Sequence, residues 1–303
     1  MVKKKKFRRV TPRSRRKEEI YFLMIFGIII FSTIFYYSYR QTTSTVPENI
    51  PKIYITCQHR INKANYRDCV VVSEQDTVLA EIKIRGAFNA LFDKVGYRLR
   101  LYERKSLLGM REDDDWQLFA MHLDYTHMRV KLCFELWRRL EPTNPTAILP
   151  NSKYVNVYLN NEYIGLFLFT EKNDRKLFGL DRGQINLESS LIFQLKAFSD
   201  LRTYNWKVWE QDLPIDDDRT IMNYIMNDLV NFLNNSTESE FFHPSTGIYS
   251  IFDKQNLIDF YVFNYFTFHL DFWNKNYFIM RNTYPSKFFL IPWDFDGSLG
   301  NGV

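Results

Sequence analysis

The sequence predicts an α+β fold preceded by one transmembrane helix. Three observations carry that expectation: short segments in which apolar and polar residues alternate, longer segments with apolar residues three and four apart, and one uncharged run of twenty residues, Ile20 to Tyr39. The chain has 303 residues, with 27 Phe and 19 Tyr, enough to fill a substantial core.

Residues 1–19 form a basic tail. Ten Lys or Arg against Glu18 and Glu19 give this segment +8, so the net charge of +5 leaves −3 for the remainder. The basic character therefore belongs to the tail and gives no reason to expect a nucleic-acid partner. Residues 20–39 are long enough as a helix to cross a bilayer, and Tyr36, Tyr37 and Tyr39 fall where an aromatic belt sits. The cationic side predicts a cytoplasmic N-terminus, and hence a single-pass protein with an extracytoplasmic domain. The competing reading is a cleaved signal peptide, but no A-x-A-like site follows the run. Residues 40–51, with two prolines, read as a linker, and 52–303 as the folded domain.

Within that domain, Ile53 to Thr56, Cys69 to Ser73 and Thr77 to Arg85 read as strands, followed by Tyr97 to Leu101. Arg85 and Gly86 open the intervening loop and Lys94 lies near its end, so basic groups can gather over a phosphate; an ordinary hairpin with a cationic edge has the same pattern. Asp113, Asp114 and Asp115 precede a stretch from Trp116 to Leu140 whose apolar residues recur at helical spacing, which predicts one long helix with the acidic triplet as its cap. Tyr154 to Leu159 and Tyr163 to Thr170 form a hairpin around Asn160, Asn161 and Glu162, ending at Glu171. Leu191 to Leu195 is a further strand, with Lys196 at its end as a candidate partner for phosphate or an acidic group. Helices are expected near Ile221 to Leu233 and Lys254 to Phe268, the second carrying an aromatic ladder that reads as core. Of three cysteines, Cys57 and Cys69 can pair across a short loop, leaving Cys133 as a small buried residue; no zinc spacing occurs.

The candidate site lies between Phe268 and Gly300. Asp271 follows His269 by two residues, Asn276 follows by five more, and after two apolar segments come Asp294, Phe295, Asp296 and Gly297. If the apolar segments pair as strands, Asn276 and Asp294 return to one end of a hairpin, where oxygen ligands suit a hard cation such as Mg²⁺ or Mn²⁺. The same residue types are also the usual turn formers. Protein kinases use the order H-x-D-x-x-x-x-N and D-F-G for a base and two metal ligands.

Taken in order, these segments resemble the spore-coat protein H (CotH) kinase family over roughly residues 50–300. The matching parts are Ile84-Arg85-Gly86 with Lys94 and Tyr97-Arg98-Leu99, then Trp116-Gln117-Leu118 with Asp124 and Arg129. Val155 to Asn160 with Gly165 and Glu171, and Pro292-Trp293-Asp294-Phe295-Asp296, complete the set. Asn161 stands where the family usually has a turn glycine. The resemblance implies a two-lobed protein-kinase-like fold, here with its C-terminal lobe cut short at Val303. It also implies transfer of phosphate from ATP to protein Ser or Thr with Mg²⁺ or Mn²⁺. It assigns Asp271 as catalytic base, Asn276, Asp294 and Asp296 as metal-site residues, and Arg85, Lys94, Glu171 and Lys196 as nucleotide contacts. A membrane-anchored kinase is thus the leading expectation. An inactive scaffold of an outer cell or spore layer is the second. A glycosyltransferase using Asp294-Phe295-Asp296 as a D-x-D is the third.

Overall fold

The structure is a computed structural model describing residues 27, 29–33, 49–74, 76–86, 92–182, 184–199 and 201–301. The chain separates into two units, Met1–Asn49 and Ile50–Val303. In the first, residues 27 and 29–33 are helical, and the Ser32 and Thr33 hydroxyls donate to the Ile29 carbonyl at 2.9 and 2.7 Å. Among the described residues no helix is long and apolar enough to cross a membrane. The single-pass membrane topology expected from Ile20 to Tyr39 is corrected accordingly; most of that run lies outside the described residues.

In the second unit, period-two alternation closes a sheet on itself. Strands β1 (Lys52–Cys57), β2 (Arg67–Val72), β3 (Thr77–Arg85), β4 (Gly96–Lys105), β5 (Asp113–Phe119), β6 (Ser152–Leu159) and β7 (Glu162–Glu171) form a seven-stranded barrel in the order β1-β2-β3-β4-β5-β7-β6. All neighbours are antiparallel except β1 and β6. Ile53 and Ile55, Ala80 and Ile82, Leu99 and Leu101, Trp116 and Leu118, and Phe167 and Phe169 point inward as the barrel core.

A second sheet, in the order β11-β10-β8-β9, comprises β8 (Leu191–Leu195), β9 (Trp209–Leu213), β10 (Tyr277–Arg281) and β11 (Phe288–Pro292). Its helices are α1 (Arg129–Arg138), α2 (Thr220–Asn235), α3 (Glu238–Phe241), α4 (Ile248–Ile251) and α5 (Lys254–Phe266). Every residue of β10 is buried, so its run of apolar residues is covered on both faces. The second core joins this sheet to Phe119 and Leu168 from the barrel wall and to Phe134 and Trp137 of α1. Residues 50–303 thus form one compact, mostly β unit built on a closed barrel, and the expected two-lobed kinase-like fold with a transmembrane helix is corrected.

The helix expected from Trp116 to Leu140 is also corrected. Trp116 and Leu118 are inward residues of β5, paired to β4 and β7, and only Arg129–Arg138 is helical. The cross-strand partners of this segment, which lie far off in sequence, outweigh its helical spacing. Asp124 does the capping instead: its carboxylate accepts from the Arg129 N–H at 2.8 Å and the Thr126 hydroxyl at 2.6 Å, and pairs with the Arg129 guanidinium at 2.5 Å. Asp113 meets Lys176 at 2.5 Å and Arg111 at 2.6 Å; burial raises its carboxyl, but the hydrogen bonds from Lys176 and Asp114 outweigh that and hold it down at about 2. The aromatic ladder of α5 divides, with Phe260 and Phe263 buried and Tyr261, Tyr265 and Phe266 exposed. All three cysteines are buried free thiols, so the pairing of Cys57 with Cys69 is not formed here.

Candidate functional site

The site is built on the β10–β11 hairpin. Tyr277 is opposite Pro292, and the ladder continues one step outward because the Trp293 N–H donates to the Asn276 carbonyl at 2.8 Å. Asn276 and Asp294 therefore lie at the same end of the hairpin. Both adopt left-handed backbone, φ 66° and 65°. Asn and Asp tolerate that region better than other residues with side chains.

The Asp294 turn is held from beneath. His269 is buried, with Nε2 3.1 Å from the Asp294 carbonyl and Nδ1 2.8 Å from Asn264 Oδ1. Asn264 is fixed in turn by donating to the Phe260 carbonyl at 2.7 Å. Desolvation pushes the imidazole down to about 4, so at neutral pH it is neutral and its single N–H donates to one of two oxygens, the Asp294 carbonyl or Asn264 Oδ1, at a time. Its ring lies 5.0 Å from the buried Phe295. Farther along, Asn301 donates to the Asp296 carbonyl at 2.7 Å and to the Leu123 carbonyl at 3.0 Å. His269 buttresses the turn and leaves the two carboxylates facing outward.

Asp294 remains in contact with solvent although protein crowds it. That crowding, together with the charge of Asp296 and a hydrogen bond to it, raises the Asp294 carboxyl well above the usual carboxylate range. Because water reaches Asp294, the Asp296 contact is the firmer cause. Arg85 and Lys275 act in the opposite direction on Asp294, which places both within electrostatic reach. Arg85 stacks over the Phe119 ring at 3.9 Å, and its buried Nε has no hydrogen-bond partner. Desolvation lowers it to about 10, so it stays charged. Asp271, half exposed, pairs with Lys275 at 2.7 Å, and both act on His269 together with Asp296. The structure thus groups Asp271, Asn276, Asp294, Asp296 and Arg85 around one turn.

The other three expected contacts are engaged elsewhere. Lys94 donates to the Leu166 carbonyl and lies 4.6 Å over the Phe167 ring; desolvation brings it down to about 8. Gly165, at φ 118°, makes room for it, since a Cβ there would approach Lys94 Cε to 3.2 Å. Glu171 accepts from the Asn151 N–H at 2.9 Å and meets Arg111 at 3.4 Å. Lys196 is ion-paired with Glu210, with Asp212 nearby.

Residues 82–303 match the family model described as CotH kinase protein. The chain belongs to the CotH kinase protein family. It is 23% identical over 231 residues to the inner spore coat protein H of Bacillus subtilis (strain 168), covering 74% of this chain and 59% of that protein. The chain therefore spans about three-fifths of the length of that relative.

Among the described residues of this CotH-family chain, no group of three or more His, Cys, Asp or Glu is placed to hold a metal. The oxygen donors at the hairpin end are two carboxylates and one amide, Asp294, Asp296 and Asn276. Two adjacent carboxylates, one with a raised affinity for protons despite Arg85 and Lys275, are a donor set that fits a hard divalent cation completed by water. Sequence reasoning missed Lys275, whose signal was its position four residues after Asp271, and the role of Asn264 beneath His269. It also missed Asp212, raised by burial beside Lys196, for which no local motif exists.

Proposed function

We propose that this CotH-family chain transfers phosphate from ATP to Ser or Thr hydroxyls of a protein acceptor. The observation that carries the reading is the hairpin register that returns Asn276 and Asp294 to one end, beside Asp296 and within the field of Arg85. Asn276, Asp294 and Asp296 would hold Mg²⁺ or Mn²⁺, which when bound neutralises phosphate charge. Asp271 takes the proton of the acceptor hydroxyl. That requires its carboxylate to exchange Lys275 for the incoming alcohol, and a half-exposed ion pair makes such an exchange cheap. Arg85, stacked on Phe119 and acting on Asp294 through its charge, supplies positive charge beside the site.

The test is incubation of the chain with labelled ATP, Mg²⁺ or Mn²⁺ and a Ser-rich acceptor. Label should transfer with the wild type and disappear with Asp271→Ala and with Asp294→Ala; transfer that survives both changes would refute the assignment. A second reading rests on the similarity to a spore coat protein and makes the chain a building element of such a layer. A folded chain whose melting temperature ignores ATP with Mg²⁺ would favour it.

A further inference from the structure

Away from the hairpin, β1 and β2 set Cys57 directly opposite Cys69. The hydrogen bonds of β1 show which kind of cross-strand pair this is. The Pro51 and Ile55 carbonyls accept from Asn156 and Asn160 N–H groups, each at 2.8 Å, so the odd-numbered residues of β1 turn their backbone toward β6. The Cys57 N–H follows the same pattern and donates to Asn160 Oδ1 at 2.8 Å. Its backbone therefore points away from β2, and Cys57 and Cys69 form a non-hydrogen-bonded pair. In antiparallel ladders such pairs have Cα atoms about 4.5 Å apart, within the range that a disulfide spans. Both side chains point into the barrel core, which brings the two sulfurs together.

Of the two, Cys57 borders a cavity. The cavity, of about 310 Å³ at this end of the barrel, is lined by Cys57, His59, Arg60, Tyr97 and Asn160. The two thiols are hydrogen-bonding neighbours, an interaction that lowers the Cys57 thiol and raises that of Cys69. Cys133, by contrast, is fully buried against Ser298.

We propose that Cys57 and Cys69 are a dithiol that closes to an intramolecular disulfide across β1 and β2 when a low-molecular-weight disulfide enters the cavity at the barrel end. The Cys57 thiolate attacks one sulfur of the oxidant, forming a mixed disulfide and releasing one thiol. Cys69 then attacks the Cys57 sulfur, losing its proton as it does so, and releases the second thiol. Two protein thiols are oxidised, one disulfide reagent is reduced to two thiols, and the protons pass to the released thiolates. The cross-link closes a loop with eleven intervening residues, 58–68. Closing it removes freedom from the unfolded chain and strengthens the barrel seam.

The test uses the full chain with excess oxidised glutathione, followed by acid quench, alkylation in denaturant and peptide mapping. The expected result is a cross-linked Cys57–Cys69 peptide, alkylated Cys133, and a melting temperature raised by on the order of 5–10 °C that dithiothreitol reverses. Cys69→Ser should abolish the shift and leave a glutathione adduct on Cys57. Wild-type chain in which Cys57 and Cys69 stay alkylatable, or in which Cys57 stops at the glutathione adduct, would overturn the proposal. The wild-type map alone decides the matter if the variant does not fold.

Discussion

The Trp293 N–H donates to the Asn276 carbonyl at 2.8 Å, one step beyond the last paired residues of the β10–β11 ladder. This bond fixes the spacing of the two left-handed residues next to it, Asn276 itself and Asp294. Two side chains eighteen positions apart are thereby presented by one rigid element, which is how a site holds its geometry.

That element is itself clamped. Asn256 of α5 donates to the Leu290 carbonyl at 3.0 Å and the Thr146 hydroxyl at 2.9 Å, and accepts from the Leu290 N–H at 2.7 Å. Asn256→Ala leaves the part-buried Leu290 N–H and carbonyl without this partner and is expected to cost about 1–3 kcal/mol. Urea unfolding, with its slope checked against wild type, measures this; a change below about 0.5 kcal/mol would show that the clamp is dispensable.

His269 gives stability a pH dependence. Its folded-state value of about 4 lies below the ordinary 6.5, so between these the unfolded chain binds more protons than the folded one. The contribution is complete above pH 6.5 and is lost as pH falls toward 4, by up to about 3 kcal/mol. His269→Asn should lower stability at pH 7 and flatten this slope. Parallel slopes for variant and wild type between pH 7 and 4 would contradict the buttress role.

Asp271 and Lys275 have separable roles. Lys275→Met removes a half-exposed ion pair and should change stability by less than about 1 kcal/mol. Asp271→Asn should lower kcat for phosphate transfer by roughly 10²–10⁴-fold, the usual contribution of a general base. Rates from steady-state transfer and melting curves on the same preparations separate the two. A normal kcat in Asp271→Asn would remove Asp271 from the chemistry.

Much of this was legible in the sequence wherever a segment's environment is set by its own pattern. The alternation in Thr77 to Arg85, the Asn160-Asn161 turn, and the apolar runs flanking Arg281 to Lys287 mark strands that the structure contains. Trp116 to Phe119 misled because its partners lie outside the segment, Leu99 on the preceding strand and Glu171 far along the chain, and barrel closure outweighs helical spacing. The barrel itself was hidden for a similar reason, since closure depends on the parallel β1–β6 pairing across about a hundred residues. At the site, Asp271, Asn276 and Asp294 stood out through spacing. The engagement of Lys94 with the Leu166 carbonyl and of Glu171 with Arg111 depends on tertiary contacts no local motif records.

The central claim is that Asn276, Asp294 and Asp296 together take a divalent ion, and calorimetric titration of Mn²⁺ in the presence of ATP tests it most directly. Because Asp294 holds a proton more tightly than an ordinary carboxyl, binding should release protons and strengthen as pH rises through the neutral range, as titrations in two buffers of different ionisation enthalpy would reveal. One site per chain is expected, weakened at least tenfold in Asn276→Ala and in Asp294→Ala. Mn²⁺ affinity that is the same in wild type and both variants, with no proton released, would contradict the account.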